Sequence, residues 1–271
     1  MQRVGLIAGN GRFPLIFAHT ARAAGVEVVA VAHEGETLAE LGDAVAHLTW
    51  VKVGQLQRII QTFQEAGIER AVMAGGIRKA ALLNGFAPDE RAQRFLARLT
   101  TFGDDALLRG VAAELESEGI RIVESTLFLS PILAPVGALT QRMPSEAQWA
   151  DVRRGVAVAK ALGRWDIGQS VVLKSGMVLA VEAIEGTDAT IRRGASPGAV
   201  VVKVSKPHQD LRFDVPAVGT ETVRVCTAAG VSVLAVEAGK TLLLDKETLL
   251  NQADAAGLSM VGIEAGGAES E

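Results

Sequence analysis

The first 130 residues alternate between short apolar runs and segments with helical periodicity. The apolar runs are short enough to be buried strands, and each is followed by a turn signal or a helix. A strand, helix, strand rhythm predicts a parallel sheet with right-handed crossovers. We therefore expect an N-terminal Rossmann-like domain over 1–130. The predicted strands cover 4–8, 26–32, 47–53, 71–73 and 120–124, and the predicted helices cover 14–24, 55–66, a segment opening at 88, and 103–119.

The next segment, 131–148, has a different character. It contains Pro131, Pro135, Gly137 and Pro144 and no long periodic run. Proline and glycine in this density are typical of the connection between domains. We predict a linker over 131–148 and a second domain over 149–271.

The second half mixes hairpin and crossover patterns, which predicts a C-terminal mixed α/β domain. A short turn joins strands 169–173 and 177–183 into a hairpin. We also expect 241–244 to pair as a hairpin strand with 231–237. The remaining predicted elements are helices at 149–162, 189–193, 220–229 and 246–256 and strands at 199–204 and 259–263.

Composition narrows the functional classes. The chain has 271 residues, 49% of them hydrophobic and 21% charged, with a net charge of −4. This hydrophobic fraction excludes a disordered protein, and the absence of a basic excess argues against nucleic acid as a partner. The single cysteine, Cys226, cannot form an intramolecular disulfide, so we expect a buried structural thiol in a helix. With no signal-peptide pattern and no apolar run of about 18 residues, we expect a cytoplasmic protein.

Two glycine-rich turns follow predicted strands. Glycines at such turns let backbone amides approach a phosphate at a helix N-terminus. Because the carboxyl ends of parallel strands meet at one edge of a sheet, we expect both turns to line one crevice, although each can also be merely a tight turn. The candidate binding residues in them are Gly9, Asn10, Gly11, Gly75, Gly76 and Lys79.

The first turn does not complete the dinucleotide-binding fingerprint. Pro14 occupies the position of the third glycine in G-x-G-x-x-G. No acidic residue stands out at the end of the second strand to bind a ribose, and the pair His33-Glu34 is the nearest candidate. A nicotinamide-dependent oxidoreductase is therefore an alternative with little support.

Acidic residues open one helix of the first domain. Asp104 and Asp105 stand at its first positions. They can cap the helix, because carboxylates satisfy its free amides and favour its dipole. They can also bind Mg²⁺, which prefers hard oxygen ligands.

The segment 192–212 concentrates positive charge. It holds five cations and one acid, a local charge of +4 in a chain of −4. A solvated face is one reading, and an anionic ligand is the other. Acids alternate with the cations in 206–216 and stand upstream in 182–188, which suits phosphoryl chemistry. The cations are Arg192, Arg193, Lys203, Lys206 and Arg212, and the surrounding polar candidates are Glu182, Thr187, Asp188, Gln209, Asp210 and Asp214.

Seven motifs spread over residues 4–263 form one set. Together they resemble the LpxI-type UDP-2,3-diacylglucosamine pyrophosphatases. The motifs are G-L-I-A-G-N-G-R-F-P at 5–14, M-A-G-G-I-R-K at 73–79, G-D-D-A-L-L-R at 103–109, T-Q-R-M-P-S-E-A-Q-W-A-D at 140–151, V-E-A-I-E-G-T-D at 181–188, K-V-S-K-P-H-Q-D-L-R-F-D-V-P at 203–216 and A-V-E-A-G at 235–239.

The resemblance implies a Mg²⁺-dependent hydrolysis of UDP-2,3-diacylglucosamine to UMP and 2,3-diacylglucosamine 1-phosphate, lipid X. This is a step of lipid A synthesis on the cytoplasmic side of the inner membrane. The family's essential carboxylate falls on Asp214, which we expect to ligate the metal or activate water. Asp104, Asp105 and Glu182 are further metal candidates. We expect a homodimer that contacts the inner-membrane surface transiently; a carrier of nucleotide-sugar or lipid without turnover is the non-enzymatic alternative.

Overall fold

The chain folds into two compact units. The computed structural model describes residues 2–78, 86–99, 104–213 and 215–265, with only the backbone of 104–106. The first unit comprises Met1–Leu129 and Leu211–Asp214, and the second comprises Ser130–Asp210 and Val215–Glu271. The second unit is therefore interrupted by a short return of the chain to the first.

The first unit contains a five-stranded parallel sheet in the order β3-β2-β1-β4-β5. Strands are added on one side of β1 and then on the other, so the strand order reverses between β1 and β4. This is the Rossmann-like sheet that the alternation predicts. The strands are β1 (Arg3–Ala8), β2 (Glu27–His33), β3 (His47–Val51), β4 (Arg70–Ala74) and β5 (Arg121–Ile122), and the helices are α1 (Phe13–Ala23), α2 (Leu41–Ala44), α3 (Leu56–Glu65), α4 (Glu90–Leu96) and α5 (Asp104–Glu116).

The second unit contains a six-stranded mixed sheet in the order β6-β13-β11-β9-β7-β8. Strands β9, β11 and β13 are parallel, whereas β6, β7 and β8 each pair antiparallel. The mixed α/β prediction is confirmed. The strands are β6 (Gly137–Ala138), β7 (Ser170–Lys174), β8 (Met177–Val181), β9 (Val200–Lys203), β10 (Ala217–Val218), β11 (Val233–Glu237), β12 (Leu242–Leu243) and β13 (Ser259–Ile263), and the helices are α6 (Glu146–Arg164), α7 (Thr187–Arg193), α8 (Thr220–Ala228) and α9 (Lys246–Ala255).

Each face of the second sheet has its own apolar core. Along β9 the side chains alternate, so Val200 and Val202 pack in one core and Val201 in the other. The first core includes Val152 and Ala159 of α6, and the second includes Cys226 of α8. Cys226 is fully buried, and burial raises its pKa to about 12, as expected for an inert structural thiol.

The longest described helix, α6, is capped at its N-terminus and also binds a turn of the second sheet. Ser145 and Gln148 form a capping box, in which each side chain accepts from the other's backbone amide. One turn later, the buried carboxylate of Asp151 accepts from the amides of Ser175 and Gly176 at 2.9 and 2.7 Å. Asp151 therefore holds the turn between β7 and β8, where both residues have positive φ.

The expected hairpin at 241–244 is wrong. Both edges of β11 are already occupied, by β9 on one side and β13 on the other, and both neighbours are parallel. Strand β12 instead pairs in parallel with β10, with Ala217 opposite Leu242. The chain leaves the main sheet at Gly239, which has a φ of +70°.

Residues 131–148, which we expected to connect the domains, are part of the second unit. Strand β6 pairs with β13 at the edge of the sheet, and the amide of Ala134 donates to the carbonyl of Thr241 at 2.9 Å. Prolines are compatible with such an edge position, because an edge strand uses only half of its backbone groups. None of the described helices combines the length and apolar composition that crossing a membrane requires.

We predict that Asp151→Ala destabilises the second unit by about 1–2 kcal/mol, because the amides of Ser175 and Gly176 lose their acceptor. Urea unfolding measures this directly. Glu146→Ala, on the exposed side of the same helix, is the matched control and should change stability by less than about 0.5 kcal/mol. Equal stabilities for wild type and Asp151→Ala would contradict the role assigned to this carboxylate.

Candidate active site

The two glycine turns of the first unit meet at the point where the strand order reverses. The amide of Gly9 donates to the carbonyl of Ala74 and that of Asn10 to Gly76, both at 2.8 Å. A side chain at Gly9 would begin only 2.3 Å from the carbonyl oxygen of Gly76, so glycine is required for this approach. The turns lie together as expected, but these two amides bind the neighbouring turn and are not donors for a phosphate.

A buried acid that sequence reasoning missed connects these turns to the end of β2. The Glu36 side chain is only 2% exposed. It accepts from the backbone amide and Nε of Arg78 at 2.8 and 2.9 Å and from Nδ2 of Asn10 at 3.3 Å. Burial alone would raise the pKa of Glu36, but the hydrogen bonds from Arg78 and Asn10 outweigh it and lower the pKa. The sequence signal that could have identified Glu36 is its position two residues after Glu34, just beyond the second strand.

His33 does not face outward as a ribose ligand would. Its ring is buried, and Nδ1 lies 2.9 Å from the carbonyl oxygen of Ala8, which can only accept. Burial lowers the pKa of His33, so the ring is neutral at pH 7 with the proton on Nδ1. His33 therefore fastens β2 to the end of β1.

The cationic segment 192–212 is not a bare positive patch. Four of its cations lie against carboxylates from other parts of the chain, so the local charge of +4 is largely compensated in the fold. Arg212 belongs to the first unit, where its guanidinium also lies 4.8 Å from the centre of the Phe213 ring. The pairs are Arg192 with Glu221, Arg193 with Glu185, Lys206 with Asp166 and Arg212 with Glu116.

The loop that follows β9 carries several predicted binding residues. Lys203 is buried at the end of the strand, and its Nζ donates to the carbonyl of Ala217 at 2.8 Å. The amide of Lys206 donates to Oε1 of Gln209 at 2.8 Å, which closes the loop on itself. The structure thus joins Lys206 to Gln209, whereas Lys203 is bound to the backbone of Ala217, and Asp210 follows next in the chain.

The acids of the motif at 181–188 have structural partners. Glu182 is buried and accepts from Oγ1 of Thr187 at 2.9 Å and from the amide of Gln169 at 3.2 Å. Asp188 accepts from Oγ1 of Thr222 at 3.1 Å. These contacts fix the start of α7 against β7 and α8.

The described residues do not form a metal site by themselves. Among them, no group of three or more His, Cys, Asp or Glu side chains is arranged to hold an ion, and both Glu182 oxygens already accept hydrogen bonds. Asp104 and Asp105 begin α5, where only the backbone is described, and Asp214 and Lys79 lie outside the described residues. Mg²⁺ commonly needs only one or two carboxylates when substrate phosphates complete its shell.

A second buried acid organises the carboxyl ends of β9 and β11. Glu237 is 2% exposed. Its Oε2 accepts from Nζ of Lys160 at 2.7 Å, from the amide of Ser205 at 2.7 Å and from Oγ of Ser205 at 2.8 Å. Its Oε1 accepts from Nζ of Lys240 at 2.9 Å. Burial would raise the pKa of Glu237, but the bonds from Lys160, Lys240 and Ser205 hold it below its ordinary value.

Sequence reasoning gave Lys160 and Glu237 no role. The signal for Lys160 was its place on the buried face of α6, beside Gly155, Ala159 and Gly163. A lysine on such a face needs a buried partner, because an unpaired charge there is strongly unfavourable. Glu237 stands inside the quoted motif at 235–239.

Comparison with known proteins adds the family. The model of the LpxI N-terminal domain matches residues 3–132, and that of the LpxI C-terminal domain matches residues 135–261. The chain belongs to the LpxI family. One relative of this LpxI-family chain, the UDP-2,3-diacylglucosamine pyrophosphatase LpxI of Caulobacter vibrioides, is 34% identical over 278 residues, which cover 97% of this chain and 98% of the relative.

Solved structures add no argument about this LpxI-family chain. The biotin carboxylase subunit of pyruvate carboxylase is 18% identical over 64% of this chain and 35% of its own, with a TM-score of 0.29. Phosphoribosylglycinamide synthetase from Anaerococcus prevotii is 9% identical over 68% of this chain and 39% of its own, with a TM-score of 0.28. The LpxI-family chain thus spans well under half the length of either protein.

We predict that Glu237→Gln lowers the melting temperature at pH 7, and that the difference from wild type shrinks as the pH falls below about 4.5. A carboxylate with a lowered pKa contributes stability above its ordinary pKa of about 4.5 and loses it as the pH falls through the folded value. Below that value the wild-type side chain is neutral, like glutamine. Thermal unfolding of both proteins between pH 3.5 and 7 tests this, and a difference that stays constant across the range would contradict it.

Proposed function

We propose that this chain hydrolyses the pyrophosphate of UDP-2,3-diacylglucosamine to UMP and 2,3-diacylglucosamine 1-phosphate, as a step of lipid A synthesis. The observation that carries the proposal is the 34% identity over 97% of the chain with a relative named for that substrate. Both domain models of the family match, so neither half of the relative lacks a counterpart here.

The chemistry of the described residues supports an anionic substrate. The loop after β9 presents Lys206 beside Gln209, and the loop after β11 presents Lys240, which is about half exposed. Both loops follow the carboxyl ends of parallel strands, where α/β sheets bind ligands. Lys206 and Lys240 each contact an acid as well, and they would still add positive charge at the edge where a pyrophosphate binds. Positive charge there stabilises the transition state of phosphoryl transfer.

We propose that the reaction depends on Mg²⁺ and on Asp214. When bound, the ion would neutralise charge on the phosphoryl oxygens and so make the phosphorus more susceptible to attack by water. Asp214 follows Arg212 and Phe213 in the R-F-D element, and Phe213 packs against the core of the first unit. A carboxylate in this position would ligate the ion or accept a proton from water.

The diacyl chains of the substrate support transient contact with the cytoplasmic surface of the inner membrane. Several large apolar side chains of the second unit are exposed, among them Trp165 at 81% and Ile184 at 95%. Residues of this kind suit the interface between water and lipid. The homodimer stays a prediction.

The structure favours neither alternative function. In the first unit the buried Glu36, two residues beyond Glu34, already accepts three hydrogen bonds, and Pro14 supplies no amide at the start of α1. Both features count against a nicotinamide site. A carrier without turnover differs from the proposed enzyme only in the absence of product, which the following experiment decides.

We predict that the purified chain releases UMP from UDP-2,3-diacylglucosamine with Mg²⁺, and that EDTA abolishes the release. Asp214→Asn should lower the rate by about three orders of magnitude or more, because it removes a charge at the reacting centre. Glu247→Gln, at an exposed acid in the first turn of α9, is the control for a general loss of negative charge. Chromatography of UMP measures the rate.

Binding of the substrate without UMP release would establish the carrier instead. Full activity in EDTA would contradict the proposed dependence on Mg²⁺. A wild-type rate for Asp214→Asn would contradict the role proposed for that carboxylate. Binding of NADPH measured by its fluorescence would revive the oxidoreductase.

A further inference from the structure

A buried ion pair connects three elements of the second unit. Lys160 lies on α6, Ser205 lies just beyond β9, and Glu237 ends β11. Besides its bond to Glu237, Nζ of Lys160 donates to the carbonyl of Ser205 at 3.0 Å and lies 3.3 Å from its Oγ. The amide, hydroxyl and carbonyl groups of Ser205 therefore all form hydrogen bonds with this one pair of charged side chains.

The loop that begins at Ser205 is also fixed from the side of α6. Gly163 lies one turn beyond Lys160, and a side chain there would begin 2.9 Å from Cδ of Pro207 and 3.1 Å from Cα of Lys206. The helix backbone thus lies directly against the loop. Together with the bond from the Lys206 amide to Gln209, these contacts restrain the loop from 205 to 209.

The same carboxylate restrains a second loop. Its Oε1 accepts from Lys240, and the amide of Thr241 donates to the Glu237 carbonyl at 3.1 Å. One buried acid therefore orients two loops that each carry a lysine at the carboxyl edge of the sheet.

Stability alone is a weak reason for such a pair. Replacing a buried ion pair by apolar side chains of similar size is often neutral or stabilising, whereas removing one partner is strongly destabilising. The distinctive property of this pair is that both charged side chains also form hydrogen bonds with Ser205, which lies in a loop outside α6 and β11.

We propose that Lys160 and Glu237 are positioning residues, which hold Ser205–Gln209 in the geometry that orients the pyrophosphate for hydrolysis. The inference rests on the proposed function and deepens it. The pair acts through the loop, so its loss changes the orientation of the reacting group more than the affinity for the substrate. Misplacement of such a loop by about 1 Å costs on the order of 10²-fold in rate.

The test separates positioning from stability. Lys160→Met leaves Glu237 with Lys240 as its remaining cation, and Glu237→Leu leaves the buried Lys160 charge without its acid. Each single variant lowers the melting temperature. The double variant removes both buried charges and recovers part of the lost melting temperature, although the Ser205 amide loses its acceptor. We expect its kcat for UMP release to be about 10²-fold below wild type, with KM changed by less than about threefold. Ser205→Ala keeps both charges and should lower kcat about 10-fold, so it tests the same contact if the double variant does not fold.

Asp151→Ala is the matched control. It removes another buried carboxylate of α6 that binds backbone amides, nine residues before Lys160 and so about 13.5 Å away along the helix. It should lower stability and leave kcat unchanged.

A folded double variant with wild-type kcat would overturn the inference, as would Ser205→Ala with wild-type kcat. Equal kcat losses in Asp151→Ala and the double variant would also overturn it, because activity would then follow stability. A folded wild-type chain that releases no UMP would overturn the proposed function itself, which the first measurement of the series decides separately.

Discussion

The buried carboxylate of Glu237 is the group on which the carboxyl edge of the second unit depends. A charge removed from water is tolerated only when its oxygens are satisfied, and here Lys160, Ser205 and Lys240 supply four donors. The three residues that supply them lie on α6, in the loop after β9 and in the loop after β11. The requirement to satisfy one acid therefore fixes where α6, the loop after β9 and the loop after β11 meet.

The first unit uses the same principle with different residues. Glu36 lies beyond β2, is almost fully buried, and accepts from Asn10 beyond β1 and Arg78 beyond β4. Both units thus order the loops at the carboxyl ends of their strands with a single acid that faces cations or amides. In each case hydrogen bonds overcome burial and keep the pKa below its ordinary value, so both acids are ionised at neutral pH.

Local pattern was sufficient for most of the fold. The apolar runs and helical faces predicted the strands of both sheets other than β6, because burial on two faces leaves a continuous apolar signature. It failed for 241–244, since pairing there depends on which edges of β11 are free. The charge of segment 192–212 is likewise unbalanced in the sequence but largely compensated in the fold. The acids that pair with its cations lie outside the segment: Glu221, Glu185, Asp166 and Glu116.

The candidate site was less accessible to sequence reasoning. The glycine turns and the loop after β9 were expected, because turn chemistry and charge are local. Glu36, Lys160 and Glu237 were not, because their importance lies in partners 26 to 77 positions away along the chain. The resemblance of the motifs predicted the family, and it was the sole basis for the prediction at Asp214. The fold adds nothing about Asp214, which lies outside the described residues.

Amide hydrogen exchange of the loop after β9 tests most directly whether the buried pair holds it. In Lys160→Met/Glu237→Leu, the amide of Ser205 loses its acceptor and that of Lys206 loses its support, so both should exchange at least about 10-fold faster than in wild type. The amides of Ser175 and Gly176, which Asp151 binds, serve as the internal reference and should not change. Wild-type exchange at Ser205 and Lys206 in the double variant would contradict the account.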